Sequence, residues 1–182
     1  MERHVRWAPL GHEGLEYLVM RGQDGQCIVE SVVTGERQNI PFGLHYHLVI
    51  DRHWHLRSAV LQIVGNDRPL ILHSNGAGQW TDGGGARLTH FAGCIDIDIS
   101  VTPFTNSLPI RRLGLAVGAS QSIRVIYIPV PGLQPEVMEQ RYTRLDEDCF
   151  LYENPLRNFA AELPVDADGL VIDYPDIFCR LP

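Results

Sequence analysis

The sequence predicts an all-β protein: a single domain over residues 1–182 that forms a curved, barrel-like antiparallel sheet. Segments in which apolar and polar residues alternate follow one another along the chain, as in half-buried strands. These segments are separated by Gly, Asp, Asn and Pro, which are typical of turns. No segment sustains the 3.6-residue period of a long helix. A chain of 182 residues is within the size at which all-β domains stay undivided.

The elements are predicted in chain order from this alternation and from the turns between them. The predicted strands cover residues 6–10, 15–21, 26–33, 42–50, 54–64, 69–73, 87–89, 95–101, 111–117, 122–128, 137–145, 149–152, 159–164 and 170–174. One or two short helical turns are expected near residues 103–108, where Thr102 is a suitable N-cap and Pro103 fits the first helical position.

A weak internal similarity links the two halves of the chain. A shift of 96 positions places Tyr46 on Tyr142 and Trp54 on Phe150. Because alternating patterns repeat easily by chance, both common origin and coincidence stay open. Common origin predicts two related antiparallel units that close one barrel-like sheet together.

Composition and charge exclude several classes of protein. The formal net charge is −7 and no basic cluster offsets it, so no nucleic-acid partner is expected. All 15 basic residues are arginines, which excludes lysine Schiff-base chemistry. The densest apolar stretch, residues 125–130, is too short to span a bilayer, so no transmembrane segment is expected. The first residues contain no apolar secretory core, and four scattered cysteines fit reduced thiols. A cytoplasmic location is therefore expected.

Histidines offer the one candidate metal cluster. His45 and His47 share one strand face, and His53 and His55 share another, in a predicted hairpin. A two-residue turn at residues 51–52 would place the two pairs on opposite faces, so surface histidines are favoured over a metal site. No nucleophile elbow, phosphate loop or dinucleotide motif is present, and no cofactor is expected.

Residues 93–113, GCIDIDISVTPFTNSLPIRRL, are the most informative segment. Asp96 and Asp98 lie on one face of a predicted strand, about 6.5 Å apart. Arg111 and Arg112 follow after a short break, and a buried arginine needs a carboxylate. Three interpretations stay open: an ion-paired corner that holds the fold, a binding site, or an acid–base pair for glycosidic hydrolysis.

The predicted strand 111–117 adds a second feature. Gly114, Ala116 and Gly118 would form a row of small side chains on one face of it. Such a row leaves room for a neighbouring aromatic side chain, such as Trp80 or Tyr142, or for a bound acyl or sugar group.

The same segment resembles the signature of the glycolipid-binding protein family of small bacterial proteins. The positions that fit are Gly93, Cys94, Asp96, Asp98, Pro103, Thr105, Asn106, Leu108, Pro109, Arg111 and Arg112. Supporting pieces are Gly14-Leu15-Glu16, Gly78-Gln79-Trp80, Gln140-x-Tyr142 and Gly169-Leu170-Val171-x-Asp173-Tyr174-Pro175. The resemblance implies a barrel-like fold similar to that of lipoprotein carriers, and a role in binding glycolipids.

The expected function is non-enzymatic binding of a small amphipathic molecule, such as a glycolipid, in an apolar concavity with a polar rim. The candidate ligand-binding residues are Trp80, Asp96, Asp98, Thr105, Asn106, Arg111, Arg112 and Tyr142. No catalytic or metal-binding residue is assigned. The alternatives are a carbohydrate- or lipid-active hydrolase that uses Asp96 and Asp98, and a structural protein in which the motif only holds the sheet together.

Overall fold

The computed structural model describes residues 2–182, and it is 57% strand and 9% helix. The all-β prediction is therefore confirmed. The strands are β1 (Glu2–Pro9), β2 (Gly14–Gln23), β3 (Gln26–Arg37), β4 (Ile40–Asp51), β5 (Leu56–Ile63), β6 (Leu70–Ser74), β7 (Trp80–Asp82), β8 (Asp96–Ile99), β9 (Ser120–Ile128), β10 (Glu136–Asp146), β11 (Cys149–Asn154), β12 (Phe159–Pro164), β13 (Asp173–Tyr174) and β14 (Phe178–Leu181). The helix α1 covers Ser107–Leu113, and 3-10 turns cover Thr89–Phe91, Phe104–Asn106 and Pro155–Arg157.

The strands divide between two sheets. The larger sheet has nine strands in the order β13-β14-β1-β2-β3-β4-β5-β6-β7, and the smaller has five in the order β12-β11-β10-β9-β8. Tyr46 lies in the larger sheet and Tyr142 in the smaller, so the two segments with internal similarity belong to different sheets. Within the described chain, every strand pair is antiparallel except β8 and β9, which are parallel. The expectation of a purely antiparallel fold is wrong at this pair, because the long connection between β8 and β9 acts as a crossover.

The core lies between the inner faces of the two sheets. On β4 the residues Leu44, Tyr46, Leu48 and Ile50 are fully buried and alternate with more exposed positions. They belong to the same buried cluster as Ile97 of β8 and other residues of the smaller sheet. Ordinary period-two patterning therefore accounts for how the larger sheet covers the smaller one.

The prediction that residues 111–117 form a strand is wrong. Here α1 runs to Leu113, and Gly114 ends it in the left-handed conformation at φ 55°, which glycine adopts without strain. Pro109 is compatible with α1 because it lies in the first turn, where its missing N–H has no intrahelical partner. The predicted turn at 103–108 is present as a 3-10 turn that continues into α1, and Thr102 Oγ1 accepts the expected hydrogen bond from Phe104 N (3.0 Å).

Two smaller predictions are also corrected. Residues 87–89 do not form a strand: Arg87 makes an isolated bridge to Thr81, and Thr89 begins a 3-10 turn. The turn after β4 is longer than two residues: Asp51 N donates to His55 O (3.0 Å), and Ile50 pairs with Leu56. Across residues 2–182 no group of three or more His, Cys, Asp or Glu side chains is arranged to hold a metal ion. No helix in that range is long and apolar enough to cross a membrane.

Candidate functional site

Asp96 forms a buried ion pair with Arg112. Its carboxylate receives three contacts from Arg112: Nε to Oδ1 at 3.1 Å, Nε to Oδ2 at 3.2 Å and Nη2 to Oδ2 at 2.6 Å. The Asp96 side chain is 0% exposed and that of Arg112 is 11% exposed. Burial raises the pKa of Asp96, and the guanidinium of Arg112 opposes that rise. The prediction that at least one of the two arginines pairs with Asp96 or Asp98 is confirmed by Arg112.

The helix decides which arginine forms the pair. Successive residues of a helix point about 100° apart, so Arg111 and Arg112 cannot face the same side. Arg112 reaches Asp96, whereas Arg111 is exposed, with its guanidinium 4.6 Å from the ring centre of Trp54. Arg111 Nη1 also donates to Asp168 O (2.8 Å). Arg111 therefore holds the loop that contains Asp168 by a hydrogen bond at the surface.

Asp98 is held by neutral groups only. Its Oδ2 accepts from Gln140 Nε2 (2.6 Å) and its Oδ1 from Thr105 Oγ1 (3.5 Å). Burial raises the pKa of Asp98, while the Gln140 hydrogen bond and the nearby charges of Arg157 and Arg37 oppose the rise. Unlike Asp96, Asp98 lines a cavity.

We name this space the polar cavity. It has a volume of about 290 Å³, and Asp98, Arg37, Asn106 and Arg157 contribute its polar groups. Its aromatic lining is Tyr127, Tyr152, Phe159, Tyr174 and Phe178. Arg157 lies 4.3 Å from the ring centre of Tyr127, and its Nη1 donates to the Tyr127 hydroxyl (3.1 Å). The polar cavity thus combines one carboxyl, two amides (Asn106 and Asn154) and two guanidinium groups with ring faces, a set that suits a ligand rich in hydroxyls.

Tyr142 lies behind the polar cavity. It is 1% exposed, and its hydroxyl donates to Asn106 Oδ1 (2.8 Å). Asn106 Nδ2 donates to Pro103 O (3.2 Å). Tyr142 and Pro103 therefore fix the orientation of the Asn106 amide.

A second cavity, which we name the apolar cavity, adjoins the first. It has a volume of about 380 Å³ and is lined by residues of β1, β2, β3 and β4. Its apolar lining includes Trp7, Leu15, Val33, Phe42 and Val101. Four residues line both cavities: Arg37, Ser100, Ile177 and Phe178. The two cavities are therefore neighbours.

The structure brings together only part of the predicted site. Asp98 and Asn106 line the polar cavity, and Thr105 and Tyr142 support them from buried positions. Trp80 lines neither cavity; its Nε1 donates to Cys94 O (2.7 Å).

Asp96, Arg111 and Arg112 also line neither of these two cavities. The prediction that Gly114, Ala116 and Gly118 form a row on one strand face is wrong as well. Gly114 caps α1, and Ala116 and Gly118 lie in an exposed loop after it.

Sequence reasoning missed several cavity residues. Arg37, Arg157 and Phe178 come from three distant segments, and no local pattern marks them. Glu16, which lines the apolar cavity, is misplaced by the apolar pattern around it. The apolar residues on either side, Leu15 and Tyr17, are 41% and 45% exposed. The alternation alone would place the two apolar residues inside and the acid outside, which is the reverse of the structure.

Comparison with known proteins gives one family and one structural relative. A family model described as "Putative glycolipid-binding" matches residues 4–180. No curated protein matches the chain. A solved structure of a DUF1089 family protein from Pseudomonas aeruginosa is 47% identical, with coverage of 91% of this chain and 92% of that chain and a TM-score of 0.82. The likeness therefore includes both sheets.

Proposed function

This chain belongs to the family described as "Putative glycolipid-binding", and from that premise we propose that it binds an amphipathic molecule without chemical change. We propose further that the ligand is a glycolipid. Its sugar headgroup would occupy the polar cavity and its acyl part the apolar cavity.

The supporting observation is the adjacency of two cavities with different sets of lining residues. Ligand sites are concave, mostly apolar, and contain a few placed polar groups. Here Asp98, Asn106 and Arg157 line one cavity and Leu15, Val33 and Phe42 line the other, and Ser100 and Phe178 line both. This division matches a molecule with a hydroxyl-rich end and a hydrocarbon end.

The headgroup contacts follow from the groups in the polar cavity. Asp98 accepts hydrogen bonds from sugar hydroxyls, Arg157 donates to them, and Asn106 can do both. The ring faces of Tyr152 and Tyr174 offer apolar surface for the C–H side of a sugar.

The hydrolase alternative finds little support in the same geometry. Acid–base cleavage of a glycosidic bond uses two carboxyl groups on opposite sides of the bond. Asp98 lines the polar cavity, but Asp96 is buried in its ion pair with Arg112 and lines neither cavity. Asp96 and Asp98 therefore do not line one site together.

Isothermal titration calorimetry with n-decyl β-D-maltoside, below its micelle concentration, tests the proposal. We expect the whole glycoside to bind more tightly than maltose or decanoic acid alone. Val33→Phe should abolish decyl maltoside binding, because Val33 is 4% exposed and lines the apolar cavity. Val32→Phe is the matched control, since Val32 is the next residue of β3 but is 48% exposed.

Two results would contradict the proposal. One is equal loss of binding in the Val32 and Val33 variants, which would indicate contact at the outer surface. The other is release of decanol or glucose from decyl maltoside that disappears in Asp98→Asn, which would favour the hydrolase. An exposed control for that variant is Asp173→Asn.

A further inference from the structure

The apolar cavity contains one buried carboxyl group. In the sheet register Trp7 lies opposite Glu16 on β2, and Glu16 lies opposite Val33 on β3. All three line the cavity, and Glu16 is 2% exposed. Glu16 therefore belongs to the buried part of the lining, away from the exposed residues Gln38 and Asn39 at the rim.

Only one oxygen of Glu16 is satisfied. Ser31 Oγ donates to Oε1 (2.8 Å), and the Tyr46 hydroxyl donates to the same atom (2.5 Å). Oε2 is buried and has no hydrogen-bond partner among residues 2–182. A buried polar atom without a partner is unfavourable, and native proteins satisfy nearly all such atoms.

We propose that Glu16 Oε2 binds a hydroxyl group on the aliphatic part of the ligand. This inference rests on the proposed function and specifies its ligand as an amphipath with a hydroxylated hydrocarbon chain. The apolar walls accept the chain, and the hydroxyl supplies the hydrogen bond that Oε2 lacks.

A hydroxyl fits Glu16 better than other polar groups do. Burial raises the pKa of Glu16 to about 7, so both of its protonation states are accessible near neutral pH. In the neutral state Oε1 already accepts two hydrogen bonds, so Oε2 holds the proton and donates it. In the ionised state Oε2 accepts. A hydroxyl is complementary to both states, whereas an ammonium group serves only the ionised state and an ester carbonyl only the neutral one.

Calorimetry with decanoic, 3-hydroxydecanoic and 10-hydroxydecanoic acids tests this inference. We expect at least one hydroxylated acid to bind the wild-type protein about tenfold more tightly than decanoic acid. Glu16→Leu should abolish that advantage and leave decanoic acid binding intact. Glu16→Gln, which is nearly isosteric and both donates and accepts, should retain part of it. Glu139→Gln, an exposed site on β10, should leave it unchanged.

The outcomes separate this inference from the proposed function. If decanoic acid binds as tightly as both hydroxylated acids, the Glu16 inference is wrong and the binding function stands. If neither the acids nor decyl maltoside bind, both proposals are wrong. Far-UV circular dichroism of each variant shows whether it is folded, and the Gln variant provides the result if the Leu variant is not.

Discussion

Asp96 and Asp98 are the same residue type on the same short strand, and yet their surroundings differ completely. Asp96 faces the guanidinium of Arg112 and is 0% exposed. Asp98 faces the neutral amide of Gln140 and lines a cavity of about 290 Å³. The partner from the neighbouring element, rather than the strand pattern, makes one carboxylate structural and leaves the other able to contact a ligand.

Glu16 extends the comparison to the larger sheet. Like Asp98 it is a carboxyl that lines a cavity and receives hydrogen bonds from neutral side chains, here Ser31 and Tyr46. Proteins usually give a buried charge a counter-charge, because desolvation is costly. Among Asp96, Asp98 and Glu16, the two without a bonded counter-charge are the two that line the polar and apolar cavities, which is where a ligand could compensate them.

The largest expected effect on stability is at the buried ion pair of Asp96 and Arg112. Asp96→Asn and Arg112→Met should each lower the free energy of unfolding by about 3–5 kcal/mol, because each leaves a buried partner without its counter-charge. The double variant should lose less than the sum of the two. Urea denaturation measures these values. Arg111→Met is the neighbouring control and should cost no more than about 1 kcal/mol, since Arg111 is exposed.

Strict additivity in this double-mutant cycle would contradict the paired arrangement. Equal effects of the Arg111 and Arg112 variants would contradict the helical geometry that separates them.

The next effect is the pH dependence that Glu16 imposes on stability. Its pKa rises from 4.5 to about 7 on folding. Below pH 4.5 the carboxyl is protonated in both states, and stability is unaffected. Between pH 4.5 and 7 the unfolded chain ionises more readily than the folded one, so wild-type stability falls as pH rises and then levels off. Relative to the wild type, Glu16→Gln should therefore gain about 3 kcal/mol between pH 4 and pH 8.

Thermal and urea unfolding at several pH values measure this difference. Glu139→Gln, at an exposed position, should give a difference that varies by less than about 0.5 kcal/mol. A flat difference curve for Glu16→Gln would mean that Glu16 ionises equally in both states.

The smallest effect on stability is expected at Asp98. Asp98→Asn should change the free energy of unfolding by no more than about 1 kcal/mol, since the amide keeps the shape of the side chain and removes a desolvated charge. Decyl maltoside should nevertheless bind more weakly, because the polar cavity loses its carboxylate. A stability loss as large as that of Asp96→Asn would remove the distinction between the two residues.

Much of this protein is determined locally and is therefore readable from the sequence. Strand β12 was predicted with the observed bounds, residues 159–164, and β9 and β10 within two residues at each end. Alternation of apolar and polar residues follows from the geometry of a single strand, so a short window is enough to detect it. The pairing of an Asp with an Arg was also predictable, because both lie in one 21-residue segment and a buried charge needs a partner.

Tertiary structure alone decided the rest. The seven residues of α1 are too few to show a helical period, so only packing distinguishes Arg112 from Arg111. The parallel pairing of β8 with β9 and the inward orientation of Glu16 depend on register between strands rather than on either strand. The two cavities are formed by residues as distant in sequence as Val33, Asp98 and Phe178. Their chemistry arises where the two sheets meet, and no single segment contains it.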